Sequence, residues 1–298
     1  MRVDPHYISN LVTSLQGSTA NEQRLTSELS SGLRVASLSD DPVAAGQASM
    51  LNAAIAQDDS FVQTAATAQS LMQVTDSALG SVVTQITSAI SAATAGVNGT
   101  ENPADLKALA QSLSGIRDQV LSLANTSYQG TYIFAGSQGA TQPFTLDTST
   151  SLATVTYNGD TNIGSVTTET GQQIPTGLAG SAVFTASSGN VMDALNNLIA
   201  DFSSGAASTT STADLASLQD ALAKVSQQRS SLDSALGRIN SASAYAQTDA
   251  TNRTATASNL VAADPAQIAT QLSATETQSQ ALMSVIAALE KQSLFNYT

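Results

Sequence analysis

The chain has 298 residues and a formal net charge of -13 with a pI near 4.1, and it contains no cysteine, no tryptophan and one histidine, His6. That acidity excludes a nucleic-acid backbone or an anionic membrane surface as partner, and the missing thiols remove disulfides, thiolate metal sites and cysteine nucleophiles together. Charged residues are only 11%, against about 25% in ordinary domains, with Ser, Thr, Ala, Gln and Asn in their place, so the core this chain can bury is one of small residues.

The start, MRVDPHYISN, has no apolar run and no small-residue cleavage site, so no Sec-type signal is visible. No unbroken run of about 18 apolar residues predicts a bilayer span. By these signals alone the chain reads as cytosolic. Residues 1–41 carry a thin apolar stripe through Ile8, Leu11, Val12, Leu15, Leu25, Leu29 and Leu33, diluted by Gly17, Ser18 and Glu22.

Four of the six prolines follow Asp or Asn: Asp4-Pro5, Asp41-Pro42, Asn102-Pro103 and Asp264-Pro265. Each predicts a helix start, because the acid or amide caps free backbone N–H groups and proline at the next position gives up only an N–H that had no partner. At the second start, Asp40 and Asp41 also stand at the positive end of the helix dipole.

After Pro42 a seam at alternating spacings of four and three runs through Leu51, Ile55, Asp58, Val62, Ala65, Gln69, Met72, Asp76, Leu79, Val83, Ile86, Ile90, Ala93 and Val97. Eleven of these fourteen positions are apolar, where a 42% apolar composition would place about six. Such a helix would be a rod of roughly 80 Å, the length of a coiled-coil partner. Gly96-Val97-Asn98-Gly99-Thr100 is turn chemistry. Beyond Pro103, Leu106, Leu109, Leu113, Ile116, Val120 and Leu123 repeat the spacing, so residues 42–130 read as an antiparallel helical hairpin.

From 131 to 189 the texture changes to Gly, Thr and alternating β-branched residues, with hairpin signals at Asn158-Gly159 and Asn162 to Gly164. Seven of the twelve aromatic residues lie between Tyr128 and Phe202. This is a small β-rich insert whose strand register the pattern does not assign. Residues 190–262 return to helix: a short one through Val191, Leu195, Leu198 and Phe202, a loop from Ser203 to Thr212, then a rod. Its seam is Leu215, Leu218, Leu222, Val225, Arg229, Leu232, Leu236, Ile239, Ser243, Ala246, Ala250, Arg253, Ala257 and Leu260. Residues 263–298 form the last helix through Ile268, Leu272, Thr275, Ser279, Leu282, Ile286 and Leu289, ending in Leu294 and Phe295. The fold class is mainly α: a long antiparallel helical bundle or coiled coil formed by both chain termini, with the β-rich insert in the middle.

Catalytic chemistry is sparse. There is no Gly-rich phosphate loop and no Gly-x-Ser-x-Gly elbow, and Asp40-Asp41 and Asp58-Asp59 read as a helix start and a solvated face. No catalytic residue, metal site or cofactor is expected, and an enzyme is not. The apolar stripes are the chemistry. In the long rods they build an intramolecular core. At the two ends they are too diluted to be stable in one chain, which makes Ile8, Leu11, Leu15, Leu25, Leu29, Leu33, Ile268, Leu272, Leu282, Ile286, Leu289, Leu294 and Phe295 candidate contacts between subunits.

The run LSSGLRVASLSDDPVAAGQA, Leu29 to Ala48, with Leu29, Ser30, Ser31, Gly32, Arg34, Asp40, Asp41 and Pro42, resembles the amino-terminal signature of the bacterial flagellin family. The Asp-Asp-Pro-Val-Ala-Ala form, NTSYQGTYIFAGSQGATQPF (Asn125 to Phe144), YNGD (Tyr157 to Asp160) and the ending SLFNYT resemble the family's hook–filament junction branch more than filament flagellins. The resemblance covers both ends and the start of the insert; Thr298 stands where the family usually has Leu. It implies a structural role in the bacterial flagellum, extracellular, reached by type III export without a cleaved signal, which reverses the cytosolic reading. It further implies a ring of identical copies, contact with a hook-side hook-associated protein and with the flagellin filament, and an export chaperone on the carboxy-terminal helix. The alternatives are a filament subunit, or a surface-binding adhesin acting through the β insert.

Overall fold

A computed structural model of the chain describes residues 5–149, 152–186 and 189–295, with the side chains of 5, 6, 8 and 290–295 left undescribed. The elements in order are α1 (Pro5–Ser31), α2 (Pro42–Val97), α3 (Pro103–Ala124), β1 (Ser127–Tyr128), β2 (Thr131–Tyr132), β3 (Phe144–Asp147), β4 (Thr154–Tyr157), β5 (Ser165–Thr167), β6 (Gln173–Pro175), α4 (Gly180–Phe184), α5 (Val191–Ser203), α6 (Thr209–Val261) and α7 (Pro265–Phe295). The fold is mainly α with long terminal helices and a small strand-bearing middle, as the periodicity predicts. It divides into two compact units, residues 1–57 with 248–298 and residues 58–247.

Pro5, Pro42, Pro103 and Pro265 each open a helix, and at three of these steps the cap is described. Asp41 Oδ1 accepts from the N–H groups of Val43 at 3.2 Å and Ala44 at 3.0 Å. Asn102 Oδ1 accepts from Ala104 and Asp105, and Asp264 Oδ1 from Ala266 and Gln267. Asp4 lies outside the described residues. Asn190 caps α5 in the same way, through Met192 and Asp193.

In the unit 58–247 the seams face inward. Every seam position from Asp58 to Val97, from Leu106 to Leu123 and from Leu215 to Ala246 is buried or half-buried. Their buried apolar members between Ala65 and Ile239 belong to one cluster. Two polar breaks in these seams answer each other: Arg229 of α6 grips Asp76 of α2 with both nitrogens, Nε at 2.5 Å and Nη2 at 3.0 Å. Buried Arg117 on α3 reaches Asn196 of α5 and Asp118. By length and composition α2 is apolar enough to cross a membrane, with a window of mean hydropathy 1.2. The absence of an unbroken apolar run does not prevent this, because averaging over an 18-residue window tolerates isolated polar residues. Its apolar side from Ala65 to Ala93 is nevertheless spent in the buried cluster.

The strand-bearing stretch consists of three two-stranded antiparallel ribbons, β1-β2, β3-β4 and β5-β6. Such short pairs are weak alone, and side chains hold them. Asn125 exchanges two 2.9 Å hydrogen bonds with the Phe144 backbone, as a neighbouring strand would. The Tyr157 hydroxyl reaches the carbonyls of Asp160 and Phe134. Phe134, Phe144 and Phe184 are fully buried, with Phe184 edge-on to the other two at 5.2 and 5.3 Å. They belong to the same buried cluster as the helices, each worth about 1.5–3 kcal/mol relative to exposure.

Serine and threonine are built into α2 in an ordered way. Eleven of them, from Thr64 to Thr94, donate their hydroxyl hydrogen to the carbonyl one turn back.

Candidate functional site

In the unit formed by 1–57 and 248–298, α1 and α7 lie side by side and antiparallel. Leu25 on α1 and Ile268 on α7 are buried, and the hydrogen bonds between the two helices come from polar side chains. Ser18 donates to the Thr275 carbonyl at 3.4 Å and Asn21 to the Thr275 hydroxyl at 3.5 Å, while Ser18, Thr275 and Ser279 are all buried. Gly17 and Ser18 do not interrupt α1, because a hydroxyl facing another helix finds a carbonyl there.

The candidate assembly residues separate into three groups. Leu25 and Ile268 are buried; Leu11, Leu15, Leu272, Leu282, Ile286 and Leu289 are half-buried; Leu29 and Leu33 are exposed at 44% and 38%. The side chains of Ile8, Leu294 and Phe295 lie outside the described residues, as do Asn296, Tyr297 and Thr298 of the closing motif. Burial along α1 therefore stops at Leu25: Leu29 is exposed in its last turns, and Leu33 lies past Ser31, in a backbone bridge with Ala262.

The signature run forms the elbow between α1 and α2. Gly32, at φ +70°, takes the left-handed conformation that ends α1, its N–H bonding to the Glu28 carbonyl at 2.8 Å. Arg34 is the tie: its guanidinium reaches Asp41 Oδ2 and the Leu260 carbonyl, both at 3.1 Å. Its backbone N–H bonds to Val261, and Ala263 bonds to Gly32. Asp40 closes the loop by accepting from Ala36 and Ser37. The Ser37 backbone N–H, then its hydroxyl and the Ala36 N–H, hold the Asp40 carboxyl below the usual range. The Ala44 N–H, then Arg34, do the same for Asp41. A groove of about 840 Å³ lies along the elbow, α1 and α7, edged by Arg24, Leu33, Arg34, Asp40 and Gln267.

Sequence reasoning missed a set of exposed apolar side chains on the elbow and on the first turns of α2. Leu38, Val43 and Met50 are 67%, 70% and 76% exposed. Val43 and Met50 are seven residues apart, so they share a helix face; choosing the Leu51–Ile55 seam as the interior hid that second spacing. In all, nine of the twelve large apolar residues exposed among those described belong to this unit, and six of its apolar residues are buried. None of those six enters the buried cluster of the other unit. Among the described residues no group of three or more His, Asp or Glu is placed to hold a metal ion.

The family model of the bacterial flagellin N-terminal helical region matches residues 7–139, and that of the C-terminal helical region matches residues 215–298. Flagellar hook-associated protein 3 of Salmonella typhimurium is 37% identical over 134 residues, 45% of this chain and 42% of that protein. The protein of the same name from Escherichia coli K12 is 37% identical over 131 residues, 44% of this chain and 41% of its own length. Each match thus spans under half of the relative. Two solved structures share the fold. A flagellar hook-associated protein from Vibrio parahaemolyticus has a TM-score of 0.63 at 21% identity, over 75% of this chain and 100% of that one. The flagellar junction protein FlgL from Legionella pneumophila has a TM-score of 0.60 at 16% identity, over 73% and 100%.

Proposed function

The chain belongs to the bacterial flagellin family, and from that premise we propose that it is a structural subunit of the flagellum, joining hook to filament as a ring of identical copies. Its partners in this reading are its own copies, a hook-side hook-associated protein and the flagellin filament. It reaches the outside by the flagellar type III route, escorted by a chaperone on α7. The relatives named hook-associated protein 3 support the junction over the filament.

One observation carries the assembly reading: large apolar side chains stay exposed on the unit whose described residues contribute nothing to the buried cluster. Burying such groups is worth about 25 cal/mol per Å², and a second copy is the surface that arrives in register many times over. The terminal helices, with the residues named above, are the proposed contacts.

Immunogold labelling of intact flagella tests the proposal. A single band at the filament base supports it, and label along the filament length makes the chain a filament subunit instead. Deleting 265–298 is a second test: secretion aside, cells with that deletion and ordinary filaments would show that α7 has no part in the junction.

A further inference from the structure

Sulfur in this chain is all thioether, since it has methionine but no cysteine, and the methionines divide sharply. Met72 and Met192 are fully buried and belong to the cluster of the unit 58–247. Met50 and Met283, 76% and 51% exposed, belong to the unit formed by 1–57 and 248–298. Met50 shares its helix face with Val43, while buried Ala44 and Ala48 mark a different side of α2 as the inner one. On α7, Met283 stands close to exposed Val285 and half-buried Ile286. A thioether packs as an apolar group, but where it is exposed it oxidises to a sulfoxide, whose polarity disrupts interfaces built on methionine.

We propose that Met50 and Met283 are modification sites, oxidised to methionine sulfoxide by hydrogen peroxide, and that this oxidation weakens the association of the chain with its own copies. The Sδ lone pair attacks one peroxide oxygen, and the S–O bond forms as the O–O bond breaks. The departing hydroxide takes the remaining proton and leaves as water, so sulfur is oxidised and the peroxide reduced by one electron pair. The single chain tolerates the change because neither side chain is packed in a core, whereas a contact that must dry these side chains loses by it. Association in turn covers the thioethers and shields them. The inference rests on the assembly reading above and adds a chemical control to it.

The full-length chain is treated with hydrogen peroxide, and fragmentation mass spectrometry locates each added oxygen. In the dilute chain Met50 and Met283 should oxidise more than about tenfold faster than Met72 and Met192, which react only when the core opens. At a concentration where sedimentation velocity shows association, oxidation of Met50 and Met283 should slow with the fraction associated. The oxidised chain should associate about tenfold more weakly, the scale of an apolar anchor lost from an interface, and should melt as the untreated chain does. The variant with Met50→Leu and Met283→Leu keeps size and apolarity and should stay associated after peroxide, which separates these sites from Met1, outside the described residues. Equal oxidation of all four described methionines, no shielding on association, association or melting that contradicts these expectations, or a leucine variant as sensitive to peroxide as the unaltered chain overturns the proposal and leaves the assembly reading standing. No association of the untreated chain at any concentration overturns both.

Discussion

Gly96 in the last turn of α2 is the position where one methyl group should do the most damage. A Cβ there would lie 2.4 Å from Cζ and 2.5 Å from Cε2 of Phe202 on α5, whose ring is fully buried. Carbon atoms pack best at about 3.5–4.0 Å, so the intrusion exceeds 1 Å and the buried ring has no open side to swing to. Gly→Ala in a helix gains about 1 kcal/mol of propensity, while overpacking costs about 1–3 kcal/mol. For a contact this short we take the upper half of that range, which gives a net destabilisation of about 1–2 kcal/mol for Gly96→Ala. In a Phe202→Leu background the clashing ring atoms are gone, and Ala should then stabilise by up to about 1 kcal/mol. Urea unfolding followed by far-UV circular dichroism on the four proteins of the cycle reads this reversal of sign. If Gly96→Ala changes stability by the same amount in both backgrounds, the packing argument is wrong.

Three other outcomes follow from the geometry. Leu29→Ser with Leu33→Ser touches exposed positions, so the stability of the isolated chain should stay within about 0.5 kcal/mol while self-association measured by sedimentation velocity weakens; undiminished association would remove these two residues from the contact. Asp40 and Asp41 have folded pKa values below the ordinary one, so their contribution is complete above the unfolded value of about 3.9 and is lost as pH falls through the folded values. Amide protection of residues 33–45, corrected for intrinsic exchange, should therefore be lost as pH falls from about 5 towards about 1, and protection unchanged down to about pH 2 would contradict the hydrogen-bonding assignment. Exchanging charges across α2 and α6, Asp76→Arg with Arg229→Asp, should recover most of the stability lost in either single variant, a coupling of under about 1 kcal/mol because Arg229 is 40% exposed; additive losses would show that the pair does not interact.

The helices were legible because their signals are redundant. Asn102, Asp41 and Asp264 each announce a start by a cap and a proline, and the 4–3 seams that follow average over a dozen positions, so Asp76 and Arg229 do not spoil them. The loop expected to Thr212 is shorter, and α6 begins at Thr209, because Ser208 and Ser211 both bond to the Asp201 carboxylate and fix the first turn without an apolar residue. The five-residue α4 has no side-chain cap and leaves no mark in the pattern. Strand register was illegible for a different reason: the ribbons are two to four residues long, and Asn125, Tyr157 and Asp160 place them through contacts distant in sequence. In the elbow, the motif flagged Arg34, Asp40 and Asp41 as a group. That Arg34 spans to the Leu260 carbonyl, 226 residues away, has no local signal.

The spent hydroxyls of α2 bear on what it takes to dry such a helix. A serine or threonine that already gives its hydrogen to the preceding turn holds surrounding water through lone pairs alone, and it shows a neighbour its methylene or methyl. A flank made of such residues is wettable enough to stay dispersed, yet surrenders its hydration more readily than one studded with lysine and glutamate. Close approach along it should accordingly respond weakly to added salt, in contrast to any contact that depends on the few ions this chain retains.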